Sequence, residues 1–218
     1  MKAIILVHGI GKPDKNWSKS LQDYLGDSYH YHECNWDLLI KDTEKSLFQR
    51  LFKKPPIWKP NKLLHYFLKG IIFKYALDAT SYSSFKPIMT RMIKEAYHNL
   101  SNKRYEIFIV AHSLGSWAVY DAMREDQYVC PDKLITYGAN LPLNKLDSYR
   151  SFPRVEWYNI WEDNDILSMP LKKNGIIDIE FKNNLWLFKS NPLSHIAYLK
   201  SNKFKSLVKR ILEDKYYE

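Results

Sequence analysis

The stretch YEIFIVAHSLGSWAVYDAM, residues 105–123, decides how the chain folds. Its first part, Tyr105 to Val110, is almost wholly apolar, which predicts a central strand buried on both faces. From Leu114 onward the spacing is helical. Between the two lie Ala111, His112, Ser113, Leu114 and Gly115. A strong strand, a tight turn carrying a serine and then a helix is the setting of a nucleophile elbow. Serine is also a common helix cap, so Ser113 alone reads either way.

The chain around it alternates in the same manner. KAIILV (2–7), SYHYHECNW (28–36), KLITYG (133–138) and RVEWYNI (154–160) read as strands. Helices are expected at 18–25, 42–52, 85–100 and 195–213. On the third, Ile88, Met92, Ile93, Ala96 and Leu100 recur on one face. GIIDIEFK (175–182) and NLWLF (184–188) suggest a terminal hairpin. Strands alternating with helices predict an α/β fold, a mostly parallel central sheet with helices on both faces. The 218 residues suit a single domain spanning 1–218.

KKPPIWKPNK (53–62) interrupts regular structure, because proline removes donors and restricts its predecessor. LLHYFLKGIIFKYALDA (63–79) follows as an unusually apolar helical stretch. The region from about 45 to 82 therefore reads as a helical insertion. Within it, 53–82 is a lid, a core element or an interface. From Lys45 to Lys74 the chain carries Lys45, Arg50, Lys53, Lys54, Lys59, Lys62, Lys69 and Lys74 and no Asp or Glu.

The formal charge of +9 raises a nucleic-acid partner. No zinc-finger spacing, RNP-like stretch or basic region with heptads accompanies it, so that partner is not expected. A weak contact with an anionic membrane surface fits the basic segment better. The opening MKAIILVHGIGK leads straight into a glycine turn and does not read as a signal peptide. Cys34 and Cys130 are far apart and lack metal-type spacing. They read as free thiols of a cytoplasmic protein.

A serine hydroxyl needs a base, a group to orient that base, and donors for the oxyanion. Read with that requirement, the chain resembles the α/β-hydrolase superfamily, in particular its lipase and esterase-like members. The family's G-x-S-x-G stands here as Ala111-His112-Ser113-Leu114-Gly115, with alanine for the first glycine. LVHGIG (6–11) matches the H-G-x-G loop after the first strong strand. The resemblance implies oxyanion donors at the NH groups of Leu114 and Ile10, with Gly9 as the alternative to Ile10. In EWYNIWEDNDILSMPL (156–171), Asp165 fits the family's acid best. Asp163 is the runner-up, and Glu162 comes behind both. NPLSHIAYLKS (191–201) supplies His195, with Tyr198 three residues on. Ser113, Asp165, His195 is the family's chain order.

The implied activity is hydrolysis of a small-molecule or lipid carboxylic ester through an acyl-enzyme, with no cofactor or metal. An apolar acyl group is expected if 53–82 forms a lid. Thioesterase, amidase or peptidase chemistry on the same fold remains open at this point. So does a non-catalytic binding protein that keeps the fold. Trp17, Trp36 and Trp161 fall near strand ends, as pocket walls or core. Oligomeric state is not encoded in these motifs.

Overall fold

The computed structural model describes residues 1–9, 16–35, 82, 86–139, 152, 154–163, 165, 168–182 and 197–215. Among them, six strands form one sheet: β1 (Lys2–Val7), β2 (Tyr29–Cys34), β3 (Glu106–His112), β4 (Lys133–Tyr137), β5 (Glu156–Trp161) and β6 (Ile176–Glu180). Their spatial order is β2-β1-β3-β4-β5-β6. Every neighbouring pair runs parallel.

The central strands are apolar run-throughs because both of their faces are covered. Alternate residues of each strand point to opposite sides. Ala3, Ile5, Val7, Ile107, Ile109, Ala111, Leu134 and Trp157 belong to one core cluster. Ile4, Leu6, Phe108, Val110, Ile135, Tyr137, Tyr158 and Ile160 belong to the other. Helices close each side. The helix over residues 86–101, α2, and α3 (Leu114–Glu125) cover the first face. Helices α1 (Lys19–Leu25) and α4 (Asn202–Leu212) cover the second.

Local chemistry sets the helix limits. Gly26, at φ 81°, ends α1 by turning the chain where a side chain would be strained. The expected 195–213 helix is divided instead. Tyr198–Lys200 is a short 3-10 turn, and Ser201 then caps α4 by accepting the Phe204 NH. On α2 the buried stripe is Met89, Ile93, Ala96, Tyr97 and Leu100, whereas Ile88 and Met92 are only partly buried. The stripe is thus rotated from the expected one. Tyr97 can sit inside because its hydroxyl donates to the Cys130 carbonyl at 2.8 Å.

Residues Ile176–Glu180 join the sheet as a parallel strand beside β5. The second arm of the expected hairpin, 184–188, lies outside the described residues. So do the 42–52 helix, Trp36 and nearly all of the 45–82 insertion. Tyr82 is buried and donates to Asp121 Oδ2 at 2.7 Å. Asp121 is itself buried inside α3. Cys34 and Cys130 are free thiols, and burial pushes Cys34 up to about 12. No helix among the described residues is long and apolar enough to cross a membrane.

Lys133 joins the sheet to the last helix. It opens β4 with its side chain sealed in, and its ammonium donates to the Ile211 carbonyl at 2.8 Å and to the Asp214 carboxylate. A cation here meets the negative end of α4. Lys133→Met should cost about 1–3 kcal/mol, because it leaves that carbonyl without its donor. Urea unfolding monitored by circular dichroism measures the loss. An unchanged midpoint would show that the bond contributes nothing.

Candidate active site

The strand order reverses direction at β1. From β1 the chain moves outward to β2 by way of α1, then returns past β1 to reach β3. Consequently α1 and α3 lie on opposite faces of the sheet. The segments that follow β1 and β3 therefore diverge, and a crevice opens at the carboxyl ends of these two strands. Gly9 and Ser113 stand at that crevice.

Ser113 has φ 52° and ψ −123°. That conformation is costly for a residue with a side chain and persists only when the surroundings enforce it. The enforcement is visible. The Ser113 NH donates to the Tyr137 carbonyl at the end of β4 (3.0 Å), and its carbonyl accepts the Ser116 NH (3.0 Å). The hydroxyl makes no capping hydrogen bond to α3. An N-cap serine would have extended backbone and a side chain turned onto the helix NH groups. Ser113 has neither, so the cap interpretation fails on geometry.

Two glycines make the turn sterically feasible. A Cβ on Gly115 would lie 2.5 Å from the His8 carbonyl oxygen and 2.9 Å from that of Val7. A Cβ on Gly9 would lie 2.8 Å from the Ser113 Cβ and 3.0 Å from the His112 carbonyl oxygen. Ala111, in contrast, is an ordinary buried residue of β3. The second glycine of the motif is demanded by contact, and the first position accepts a methyl group. Leu114 and Gly115 open α3, where backbone NH groups have no acceptor within the helix and favour negative charge.

Two histidines form part of the wall. The Nδ1 of His8 carries its proton and donates to the Gly9 carbonyl at 2.6 Å. The ring meets Trp17 edge-on at 4.8 Å. Burial lowers its pKa from 6.5 to about 4, against the opposing effect of that hydrogen bond. His112 stacks on Tyr137 at 4.7 Å, with Tyr198 at 6.4 Å.

The carboxylates follow β5, two strands from β3 and so about 10 Å across the sheet. Asp165 and Glu162 are each 1% exposed, while Asp163 is exposed. The Tyr198 hydroxyl donates to Asp165 Oδ2 at 3.1 Å and lies 3.3 Å from Ser168 Oγ. Burial and the neighbouring Asp165 charge hold that hydroxyl far above the usual tyrosine range, so it remains a donor. The turn itself is laced by Asp165 NH to Glu162 carbonyl, Ser168 NH to Asp165 carbonyl, and Glu162 NH to Ser168 Oγ. Its exit is fixed by Asn159, fully buried, which donates to the Met169 carbonyl at 3.1 Å and to Asp178 at 2.7 Å. Asp178 in turn accepts the NH groups of Leu171 and Lys172. Sequence reading missed Ser168, Asn159 and Asp178 as supports of this loop. Polar residues flanking an acid carry no mark of whom they will meet.

Ser113, Leu114 and Gly9 thus meet at the crevice, and Asp165 lies at the same sheet edge. His195 and Ile10 lie outside the described residues. Among those residues no group of three His, Cys, Asp or Glu side chains is placed to hold a metal ion.

No family model and no curated protein matches the chain. Solved structures do. "RedJ with PEG molecule bound in the active site" aligns at a TM-score of 0.50 and 10% identity, covering 98% of this chain and 89% of its own. The RedJ thioesterase from the prodiginine biosynthetic pathway of Streptomyces coelicolor aligns at 0.49 and 9%, covering 98% and 90%. The chain has the α/β-hydrolase fold. At such identity the likeness concerns the hydrolase fold and not the activity.

Two outcomes follow from the crevice. Gly115→Ala drives a methyl group into main-chain oxygens, so it should destabilise the hydrolase fold by about 1–3 kcal/mol or more, read as a lowered thermal midpoint. A midpoint equal to the parent's would contradict the close approach. His8 is depressed in the folded state relative to its ordinary 6.5. Between pH 6.5 and about 4 the unfolded chain therefore binds a proton that the folded one does not. Stability is intact above that window and should fall through it by an amount on the order of 3 kcal/mol. In His8→Gln this share of the acid dependence should vanish, as urea midpoints across the window will reveal.

Proposed function

We propose that the chain is a serine acyl hydrolase, cleaving an ester or thioester through an acyl-enzyme at Ser113. The single observation carrying this reading is the Ser113 backbone. A serine held at φ 52° between a strand and a helix, with no capping bond, is strained for some purpose other than helix initiation.

In the proposed reaction the Ser113 hydroxyl attacks the acyl carbonyl while His195 takes its proton. The NH groups of Leu114 and Ile10 receive the oxyanion. His195 returns the proton to the departing alkoxide or thiolate, and then activates water to release the acid. Asp165 orients His195 and stabilises the imidazolium. Its burial supports this role, since a carboxylate shielded from water interacts more strongly with a nearby cation. Tyr198 holds the carboxylate in place through its hydroxyl.

Thioesters stand beside oxygen esters as expected substrates. RedJ, whose fold aligns with this one, is named a thioesterase. Oxygen-ester cleavage rests on the motif resemblance. A fluorophosphonate probe should label the parent and not Ser113→Ala. A folded parent that resists the probe would make the chain a non-catalytic protein on a hydrolase scaffold. Asp165→Asn should lower kcat by about 10³–10⁴-fold on a p-nitrophenyl ester or an acyl thioester, with Asp163→Asn within about twofold of the parent. The reverse order would move the acid to Asp163.

A further inference from the structure

Two hydroxyls, those of Tyr198 and Ser168, close the acid-bearing turn. Tyr198 is 1% exposed, and so is Asp165. The Tyr198 hydroxyl stands 3.1 Å from Asp165 Oδ2 and 3.3 Å from Ser168 Oγ. It has a single proton to give. An ionised carboxylate can only accept, and it is the stronger acceptor of the two, so that proton goes to Asp165. The proton between the two hydroxyls is then the one on Ser168. Ser168 Oγ in turn accepts the Glu162 NH at 3.1 Å. The donors therefore run in one direction, from the Glu162 NH through Ser168 and Tyr198 to Asp165. In such a chain each bond polarises the next and strengthens it.

The ring of Tyr198 ties this chain to the serine turn. Its centroid lies 6.4 Å from that of His112, the neighbour of Ser113. It lies 5.5 Å from that of Tyr137, whose carbonyl accepts the Ser113 NH. Phe204 of α4 and Phe181, just after β6, pack on it at 5.4 and 5.9 Å. One side chain thus touches the supports of both halves of the site. We propose that Tyr198 and Ser168 are positioning residues for the acyl transfer, which fix the rotation of the Asp165 carboxylate and draw off part of its charge. The proposal rests on the hydrolase reading and on Asp165 as its acid. A carboxylate relieved of part of its charge still orients the imidazole of His195, but it holds the imidazolium less tightly. The base then sheds its proton at lower pH. Among the described residues, the titratable side chains beside the Tyr198–Asp165 pair are Glu162 in the same turn, His112 at the end of β3 and Tyr137 at the end of β4. From α4 and β6 the Tyr198 ring meets only the uncharged Phe204 and Phe181.

Tyr198→Phe keeps the ring and removes the donor. On a p-nitrophenyl ester or acyl thioester that the parent cleaves, kcat should fall by about tenfold with KM within about twofold of the parent. The acid limb of kcat/KM should move up by about half a pH unit, because the bare carboxylate holds the imidazolium more strongly. Ser168→Ala should move both quantities in the same direction by less. A residue that served folding alone would lower the thermal midpoint and leave the limb where it was. An unmoved limb in Tyr198→Phe therefore overturns the proposal, and should that variant not fold, the limb of Ser168→Ala decides alone. Proton NMR reads the chain without turnover. The Tyr198 hydroxyl proton, identified by its Overhauser contact with the Tyr198 ring, should resonate downfield in the parent and move upfield in Asp165→Asn and in Ser168→Ala. The same resonance position in the parent and both variants would overturn the chain itself. The two readings fail differently. If the fluorophosphonate probe does not label Ser113, the hydrolase reading falls and the positioning role falls with it. If the probe labels, Asp165→Asn is slowed and Tyr198→Phe matches the parent, the hydrolase reading stands and this proposal alone is overturned.

Discussion

The arrangement depends on a close approach of backbones. The end of β1 and the start of α3 come so near that position 115 has room for a hydrogen and nothing larger. The contact fixes the crest of the Ser113 turn against the Val7–Gly9 segment. It also explains why the serine keeps an unfavourable backbone. Relaxing Ser113 toward an ordinary cap would move Gly115 and the carbonyls it packs against. Those carbonyls belong to Val7, the last residue of β1, and to His8 just after it, and β1 is almost fully buried from Ala3 to Val7. A rigid sheet holds one strained residue in place, and the strain is local because the support is not.

Much of this was legible in the sequence because it arises from local pattern. Apolar runs at 2–7 and 105–110 mark strands covered on both faces, and glycines at 9 and 115 mark tight approach. What was not legible depends on partners distant along the chain. On α2, Tyr97 joins the buried stripe with its hydroxyl on the Cys130 carbonyl. The last helix is broken because Ser201 serves as a cap. Asp165 and Asp163 differ little as letters, yet one is sealed beneath Tyr198 and the other faces water. Periodicity cannot report such meetings.

The acid-bearing turn is built on a different principle from the serine turn. Steric exclusion governs the latter, whereas hydrogen bonds govern the former. Glu162, Ser168 and Tyr198 satisfy the turn from within and above, and Asn159 with Asp178 anchors its exit to β5 and β6. A buried polar network of this sort is specific because an unmade bond there is expensive. The two halves of the candidate site are thus held by separate means on β3 and β5, with β4 between them in one sheet.

The bond between Tyr82 and Asp121 ties a residue distant in sequence to the back of α3, the helix that follows Ser113. Residue 82 thus reports on the serine-bearing helix through a buried carboxylate, so a change at Tyr82 is felt at α3 without touching the Ser113 turn itself.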